Sequence, residues 1–504
     1  MKNSPRTGRL LFLLAAFAVG HSGQTQQPFD LDTAFRTYIA TQYVSSILPL
    51  TDGTVLASGE MRFPGEVEHK TLVRLLSDGQ RDAGFYNSGL GGGKLTPWSS
   101  DAFYVATSQT VRRILSDGTQ DPSFIGMNLG LYFSSLQGGD YHVYPDGRIL
   151  MSGMHQLHDS IRGYEGSYCL CWFSNTGYLD TAAHHRTCAG SLDYFRELPD
   201  GQFIGSLGNP PNTASWEGTP TSSNVIRFNA DGDWDPGFQA NVWWGTAYGF
   251  LPLADGRVYV GGNFMVTGVP DTLNLVRLLP DGSLDPAFNN TARYRDTDPN
   301  NPSIPPKGIV RTIHQLSPDR LVVTGGFGEV DGEPRGGIAL IDTSGNLLSD
   351  QFAGGGGGGY NYQATPFSTP YYYRVVSGIV PAEDGRYYIW GAYHGYDDGT
   401  TNDTLQRMVS RLYGANVGMS DAKEPPARLD VFPNPAEDRI TVRVPPSRGN
   451  GRILLGDAQG RVLEDVRTSG NGTILPVGHL AAGLYTLEFR SDTGDHISTK
   501  WIRP

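Results

Sequence analysis

One phrase recurs along this 504-residue chain and limits what the chain can fold into. Residues 278–288 read Leu-Leu-Pro-Asp-Gly-Ser-Leu-Asp-Pro-Ala-Phe, and the same order of apolar strand, Asp-Gly turn, Asp and closing Phe returns at 75–85, 114–124 and 228–238. A second phrase places Asp-Gly between two apolar runs, as at 47–56 and 251–260. Asp-Gly between apolar runs is a hairpin signal, because glycine takes positive φ without a steric penalty. Two hairpins per unit predict about four strands. Seven units are counted, at 43–89, 90–130, 131–186, 187–240, 241–292, 305–353 and 370–415. The second has lost its first Asp-Gly, the sixth has Pro318-Asp319-Arg320 in its place, and the seventh lacks the second phrase. A single unit cannot bury both faces of a small sheet, so the units must stack on one another. The expected fold is all-β: a seven-bladed β-propeller over 24–415, followed by a small Ig-like β-sandwich.

The ends of the chain carry different signals. Lys2, Arg6 and Arg9 precede an apolar stretch from Leu10 to Val19, with small residues at Ala18-Val19-Gly20. This is read as a signal peptide over 1–23, too short to span a bilayer, and no later run is long enough for a membrane helix. The first cysteine is Cys169, so no lipid anchor is expected near the cleavage site. Losing the three cations of the signal takes the net charge from -12 to -15. Residues 428–504 carry ten basic and nine acidic side chains, so the excess negative charge lies in the central region. Such a surface repels phosphate backbones, which argues against nucleic acid as a partner.

Residues 416–427, with Pro425-Pro426, read as a linker. Beyond it stand Pro433-Asn434-Pro435, then Gly456-Asp457-Ala458-Gln459-Gly460, then Gly483-Leu484-Tyr485, and the chain closes on Lys500-Trp501-Ile502. These are short alternating strands broken by Pro and Gly turns. Taken together, they resemble the type A sorting domain of the type IX (Por) secretion system, over nearly all of 428–504. The repeat phrase at 279–288 resembles the delta-60 repeat β-propeller family, over about 40–415. The propeller resemblance implies a fold and no shared catalytic motif. The sorting resemblance implies, through Pro433, Asn434, Pro435, Gly483, Tyr485 and Lys500, engagement of the type IX machinery and export across the outer membrane. It further implies removal of the domain, with release of the protein or its attachment at the cell surface.

Candidate chemistry is sparse. Asp82, Asp121, Asp180, Asp235 and Asp285 each fall three residues after a turn Gly, and Arg74, Arg113, Arg227 and Arg277 each fall five before one. These positions lie on facing strands of one hairpin and are read as structural ion pairs. The third unit gathers all three cysteines with His142, His155, His158, His184 and His185. The spacing fits no common zinc module, and an oxidising compartment favours a disulfide from Cys188 to Cys171 or Cys169. Those two cysteines, two apart on a strand, are expected to share a face and compete. Asp296-Thr297-Asp298 begins like a calcium loop but lacks the turn Gly and has Lys307 where a bidentate Glu is required. The six glycines at 354–359 lack any phosphate-loop context and are expected to be flexible. The tyrosines of 360–373 and Trp243-Trp244 are read as packing residues or as sugar-stacking ones. No nucleophile elbow, zinc-protease or nucleotide-binding motif occurs, and no catalytic residue, metal or cofactor is assigned.

The last unit ends at Arg411 with no closing tail, whereas Leu31-Asp32-Thr33-Ala34-Phe35 near the start copies Leu284-Asp285-Pro286-Ala287-Phe288. Residues 30–36 are therefore expected to add as a strand beside 408–413, with Asp32 pairing Arg411 and closing the ring. The functional expectation is a secreted or cell-surface module that binds glycan or a surface protein without catalysis and without membrane insertion. The alternatives are a polysaccharide-active hydrolase or lyase with its site in the propeller funnel, and a structural component of a surface layer.

Overall fold

The computed structural model describes residues 27–86, 89–99, 101–127, 133–161, 163–208, 214–363, 368–414, 429–432, 434–436, 438–444, 451–457, 461–468, 473–491 and 496–504. The signal segment 1–23, the linker 416–427 and Pro433 lie outside them. No helix occurs among the described residues. The chain divides into two compact units, Met1–Gly418 and Met419–Pro504.

In the first unit the two hairpin phrases produce antiparallel sheets in chain order, three-stranded except the last, where Gly356–Gly357 adds a short fourth strand. They are Thr41–Pro49, Val55–Arg62 and Lys70–Leu75; Leu95–Ser99, Ala102–Ala106 and Val111–Leu115; and Phe133–Val143, Ile149–Asp159 and Tyr164–Phe173. There follow Leu192–Glu197, Phe203–Leu207 and Val225–Phe228; and Val242–Pro252, Val258–Val266 and Leu273–Leu278. The series ends with Ile309–Ser317, Arg320–Gly326 and Ile338–Asp342; and Val375–Pro381, Tyr387–Asp397 and Asn402–Leu412. The apolar residues pack into clusters that bridge consecutive sheets. One cluster joins Val258, Phe264 and Val276 of the fifth sheet to Ile204 and Val225 of the fourth. Another joins Val55, Ala57 and Val73 of the first to Tyr388, Ala392 and Val409 of the last. Such burial between sheets is the main stabilising term for units that cannot bury their own faces.

The expected fourth strand of each unit is reduced to a single bridge. Leu278 pairs Leu284, Phe228 pairs Trp234, Ile114 pairs Gln120 and Leu75 pairs Arg81. The reason is local. The Asp285 carboxylate accepts from the Ala287 amide at 2.9 Å and its carbonyl from the Phe288 amide at 3.2 Å, so the chain turns away after one pair. Residues 30–36 behave alike: Leu31 bridges Leu412 and then turns, with the Phe35 amide on the Asp32 carbonyl at 3.2 Å, rather than running as a strand beside 408–413.

Two further expectations are corrected. The glycine run is a packed seam. Gly356–Gly357 pairs with Asp397 and Tyr396 on the edge of the last sheet, and Gly336, from the segment before Ile338–Asp342, bridges Gly356. A Cβ on Gly336 would lie 2.2 Å from the Gly357 carbonyl oxygen, so the backbones approach where side chains cannot. The disulfide joins Cys169 to Cys188, and Cys171 is the free, buried cysteine. The amides of Cys169 and Leu170 both donate to the Arg186 carbonyl, at 2.8 and 3.2 Å, and the register slips there. That bulge breaks the alternation. Cys169 packs with Leu170, Trp172 and Trp216, while Cys171 packs on the opposite face with Ile149, Met151 and Phe173.

The C-terminal unit holds two sheets, Asp430–Phe432, Arg439–Arg443 and Thr473–Pro476 in one, and Val462–Thr468, Gly451–Gly456, Gly483–Ser491 and His496–Arg503 in the other. They share a core of Ile440, Val442, Ile453, Leu455, Leu487, Phe489 and Trp501.

Candidate binding sites and relatives

The repeated Arg and Asp residues meet as pairs. Arg74, Arg113, Arg227 and Arg277 donate through Nε to Oδ2 of Asp82, Asp121, Asp235 and Asp285 at 2.8, 2.6, 2.8 and 2.7 Å. Each guanidinium also lies over the closing Phe, 4.9 to 5.3 Å from the ring centre of Phe85, Phe124, Phe238 or Phe288. Nη1 then leaves the hairpin and donates to a turn carbonyl of the following sheet: Ser116, Asn175, Pro280 and Thr343 at 3.1, 2.8, 2.8 and 2.7 Å. The pairs therefore clamp one sheet to the next, a role that spacing within one hairpin could not reveal. Arg411 takes the same contacts from the two ends of the unit. Its Nε donates to Asp32 Oδ2 at 2.6 Å, its Nη1 to the Ser77 carbonyl at 2.8 Å, and its guanidinium lies 5.1 Å from the Phe35 ring centre. None of these carboxylates is free to act as an acid or base.

The histidines of the third unit are dispersed. His155 is buried and bonded to Ser135 Oγ at 3.1 Å, and His185 packs against Tyr164 and Trp172. Burial holds both at a pKa of about 4, hence neutral. No group of three His, Cys, Asp or Glu residues able to hold a metal occurs among the described residues. Asp296 faces Arg374 in an ion pair. Tyr360, Tyr362 and Tyr373 pack with Tyr43 between the last and first sheets, and Tyr360 stacks on His394 at 3.8 Å. Only Tyr371 of that group projects well into solvent.

Two cavities are lined by polar and aromatic groups outside the repeat positions. One, of about 160 Å³, collects Tyr194, Tyr248 and Arg311 from the first strands of three consecutive sheets, with Lys94 and Asp140. Tyr194 and Tyr248 lie 5.1 Å apart, Arg311 lies over Tyr248 at 5.3 Å, and Lys94 Nζ donates to Asp140 Oδ1 at 2.7 Å. The other, of about 240 Å³, has Trp244 at its edge and Asn263, Asn274, Asp271, Arg293, Arg295 and Lys307 around it. Trp244 is 37 % exposed. Asn263 and Asn274 donate through Nδ2 to the Gly308 carbonyl at 2.9 and 2.7 Å. The sequence singles out Trp244, and Lys307 only for spoiling a calcium loop; the other lining residues join them from segments distant along the chain.

In the C-terminal unit, Asn434 Oδ1 accepts from the Ile502 amide at 3.1 Å, next to Lys500, whose carbonyl receives Asn434 Nδ2 at 3.5 Å. Tyr485 stands opposite Trp501 in the ladder, 5.4 Å between ring centres, and its hydroxyl donates to the Ala481 carbonyl at 2.6 Å. Gly483 pairs with Arg503 at the end of the same ladder. Asn434 thus bonds to the backbone of the last strand at Lys500 and Ile502, and Tyr485 packs on that strand at Trp501.

No curated protein matches the chain. Among solved structures it is similar to the extracellular domain of a hybrid two-component system from B. thetaiotaomicron, with 12 % identity, a TM-score of 0.40, and coverage of 95 % of this chain and 58 % of that one. It is also similar to PorZ, a surface component of the type-IX secretion system of Porphyromonas gingivalis, with 12 % identity, a TM-score of 0.29, and coverage of 90 % and 64 %. The chain therefore spans less than two thirds of either structure. Residues 50–85, 213–238 and 253–288 match the family model described as a domain of unknown function (DUF5122) beta-propeller, and each match ends on a closing Phe or its equivalent. Residues 430–503 match the secretion system C-terminal sorting domain. The chain thus carries a DUF5122 β-propeller domain followed by a Por C-terminal sorting domain, the mark of a secreted or surface protein exported by the type IX system.

Proposed function

We propose that the exported protein is a seven-bladed ring, closed by residues 30–36, that binds glycan without catalysis through the cavity beside Trp244. The sorting domain, an Ig-like sandwich in this reading, is removed on export, and the signal peptide before it. The observation that carries the binding role is the Trp244 ring, partly exposed at the edge of a cavity whose wall is fixed by two buried or half-buried amides, Asn263 and Asn274. An apolar ring face with a few fixed polar groups is the usual composition of a saccharide or small-ligand site. The runner-up, a hydrolase or lyase in the funnel, draws support from Asp193, which burial holds above the ordinary carboxylate range next to Tyr194. Its neighbour Asp140 is neutralised by Lys94.

The test is a panel of surface and extracellular polysaccharides applied to the exported protein, with hydrolysis followed on the same panel. The expected outcome is binding that Trp244→Ala abolishes, with no cleavage. Binding untouched by that change would place the site elsewhere, and cleavage lost in Asp193→Asn would replace this reading with the funnel enzyme. Intact mass of the exported form, expected to lack 428–504, tests the processing.

A further inference from the structure

The chain carries a net charge of -12, yet the cavity beside Trp244 is basic. Arg293, Arg295 and Lys307 line it against one carboxylate, Asp271. Arg293 is engaged, donating to Asp271 Oδ2 at 2.7 Å and to the Thr291 carbonyl at 3.0 Å. Arg295 and Lys307 are both exposed. Among the described residues neither has an ion pair, and neither side chain has a hydrogen-bond partner. The nearby acids are held elsewhere: Asp296 by Arg374, and Asp331 Oδ1 by the Arg293 amide at 2.8 Å. Glu329 stands opposite Arg295 in the strand pair without forming an ion pair with it.

The wall that presents these two cations is built for close approach. The Lys307 amide donates to the Asp296 carbonyl at 3.0 Å, and the Gly308 carbonyl receives both Asn amides. A Cβ on Gly308 would lie 2.1 Å from the Tyr294 carbonyl oxygen, so only glycine lets this segment lie against Tyr294–Arg295. The chain has just six lysines, and one of them is fixed here. Tyr294 completes the lining, and its buried hydroxyl has no partner among the described residues. Two unpaired cations beside an aromatic face, on a protein of opposite net charge, form a local field that selects anions.

Building on the glycan reading, we infer that this cavity binds an acidic saccharide, its ring on Trp244 and its anionic group between Arg295 and Lys307. The shared chemistry is a carboxylate or sulfate on a sugar ring, since a guanidinium and an ammonium accept either. The experiment is calorimetric titration of the exported protein with three probes: a galacturonic acid hexamer, a sulfated galactan hexamer and a neutral galactan hexamer. The expected result is that at least one acidic probe binds about tenfold tighter than the neutral one, the value of one charge-assisted contact. That advantage shrinks as salt rises. Which acidic probe wins identifies the source of the charge. Arg295→Gln and Lys307→Met should each erase most of the advantage of the acidic probe while leaving the melting temperature unchanged, and Trp244→Ala should remove binding of all three. Equal affinity for the neutral hexamer, unaffected by either cation variant, would overturn the acidic assignment and leave the glycan reading standing. No binding by any probe would overturn both.

Discussion

Arg277 and Arg411 make the same contacts, one from within a single hairpin and the other from opposite ends of the unit. The first meets Asp285 eight residues away, and the second meets Asp32 across 379 residues. Nearly every partner is duplicated. Arg257 and Arg386 add a second cation to Asp285 and Asp32, at 3.4 and 2.7 Å. Tyr259 and Tyr388 receive Nη1 on their hydroxyls at 3.3 and 3.4 Å. The Ala287 and Ala34 amides cap the two carboxylates at 2.9 and 3.0 Å, and the Asn289 and Arg36 amides reach the next turn at 2.7 and 2.8 Å. The lesson is that geometry alone does not set the consequence of a contact. The Arg277 pair can form as soon as its hairpin does. In the proposed closed ring, the Arg411 pair forms only when all the intervening sheets have stacked, so it would tie their stability together.

The comparison can be broken most severely by removing residues 24–36. That deletes Phe29, Leu31 and Phe35, all buried, and the anion of Arg411. Thermal unfolding of the exported protein should show a loss of about 5 kcal/mol or more, from large-to-small core losses of several kcal/mol each. Phe35→Ala and Phe288→Ala form the next pair. Both rings are at most 4 % exposed and pack on a tyrosine, Tyr388 or Tyr259, at 5.2 and 5.4 Å. Each should cost about 3–5 kcal/mol in denaturant titrations. The denaturant slope should fall for Phe35→Ala alone, because an opened ring unfolds less cooperatively.

Smaller again is the charge itself. Asp32→Asn removes the carboxylate of Arg411 and Asp285→Asn that of Arg277, while Arg386 and Arg257 keep Asp384 and Asp255 as partners. Breaking a buried pair costs about 3 kcal/mol, and a double-mutant cycle with each Arg measures the coupling. Acid gives the broadest effect. The Gly84 amide and Arg74 hold Asp82 below the ordinary carboxylate range, and the Ala287 amide and Arg277 do so for Asp285 against its desolvation. A depressed carboxylate stabilises above its unfolded pKa and loses that contribution as pH falls through the folded value, so these pairs fail only below the ordinary carboxylate range. His155 and His185, held at about 4, act earlier: the unfolded chain protonates them near 6.5, so stability should already decline between about pH 6.5 and 4. Melting temperatures across that range check both limbs.

What could be read from sequence follows the distance over which each cause acts. The Asp-Gly turns, the Arg–Asp spacing and the copied tail at 31–35 are local patterns, and their partners could be named. The Nη1 clamps to Ser116, Asn175, Pro280 and Thr343 could not, because the acceptors are carbonyls of a neighbouring sheet that any residue could supply. The Cys169 bulge escaped because it depends on one shared acceptor, the Arg186 carbonyl. The glycine run packs because Gly336, from the segment before Ile338–Asp342, bridges onto it, an approach no local pattern signals. Lys307 was noticed only as a residue that spoils a calcium loop, since Arg295 and Trp244 join it through folding alone.

The closure is tested most directly by amide hydrogen exchange on the Asp32→Asn, Phe35→Ala double variant beside Asp285→Asn, Phe288→Ala, which remove the same groups from the two sites. The first variant should lose protection together across Thr41–Leu75 and Val375–Leu412, the two sheets that Arg411 joins. The second should lose it mainly around Leu273–Phe288 and the turn at Thr343. Equal, local losses in both variants, with the first and last sheets still protected, would contradict it.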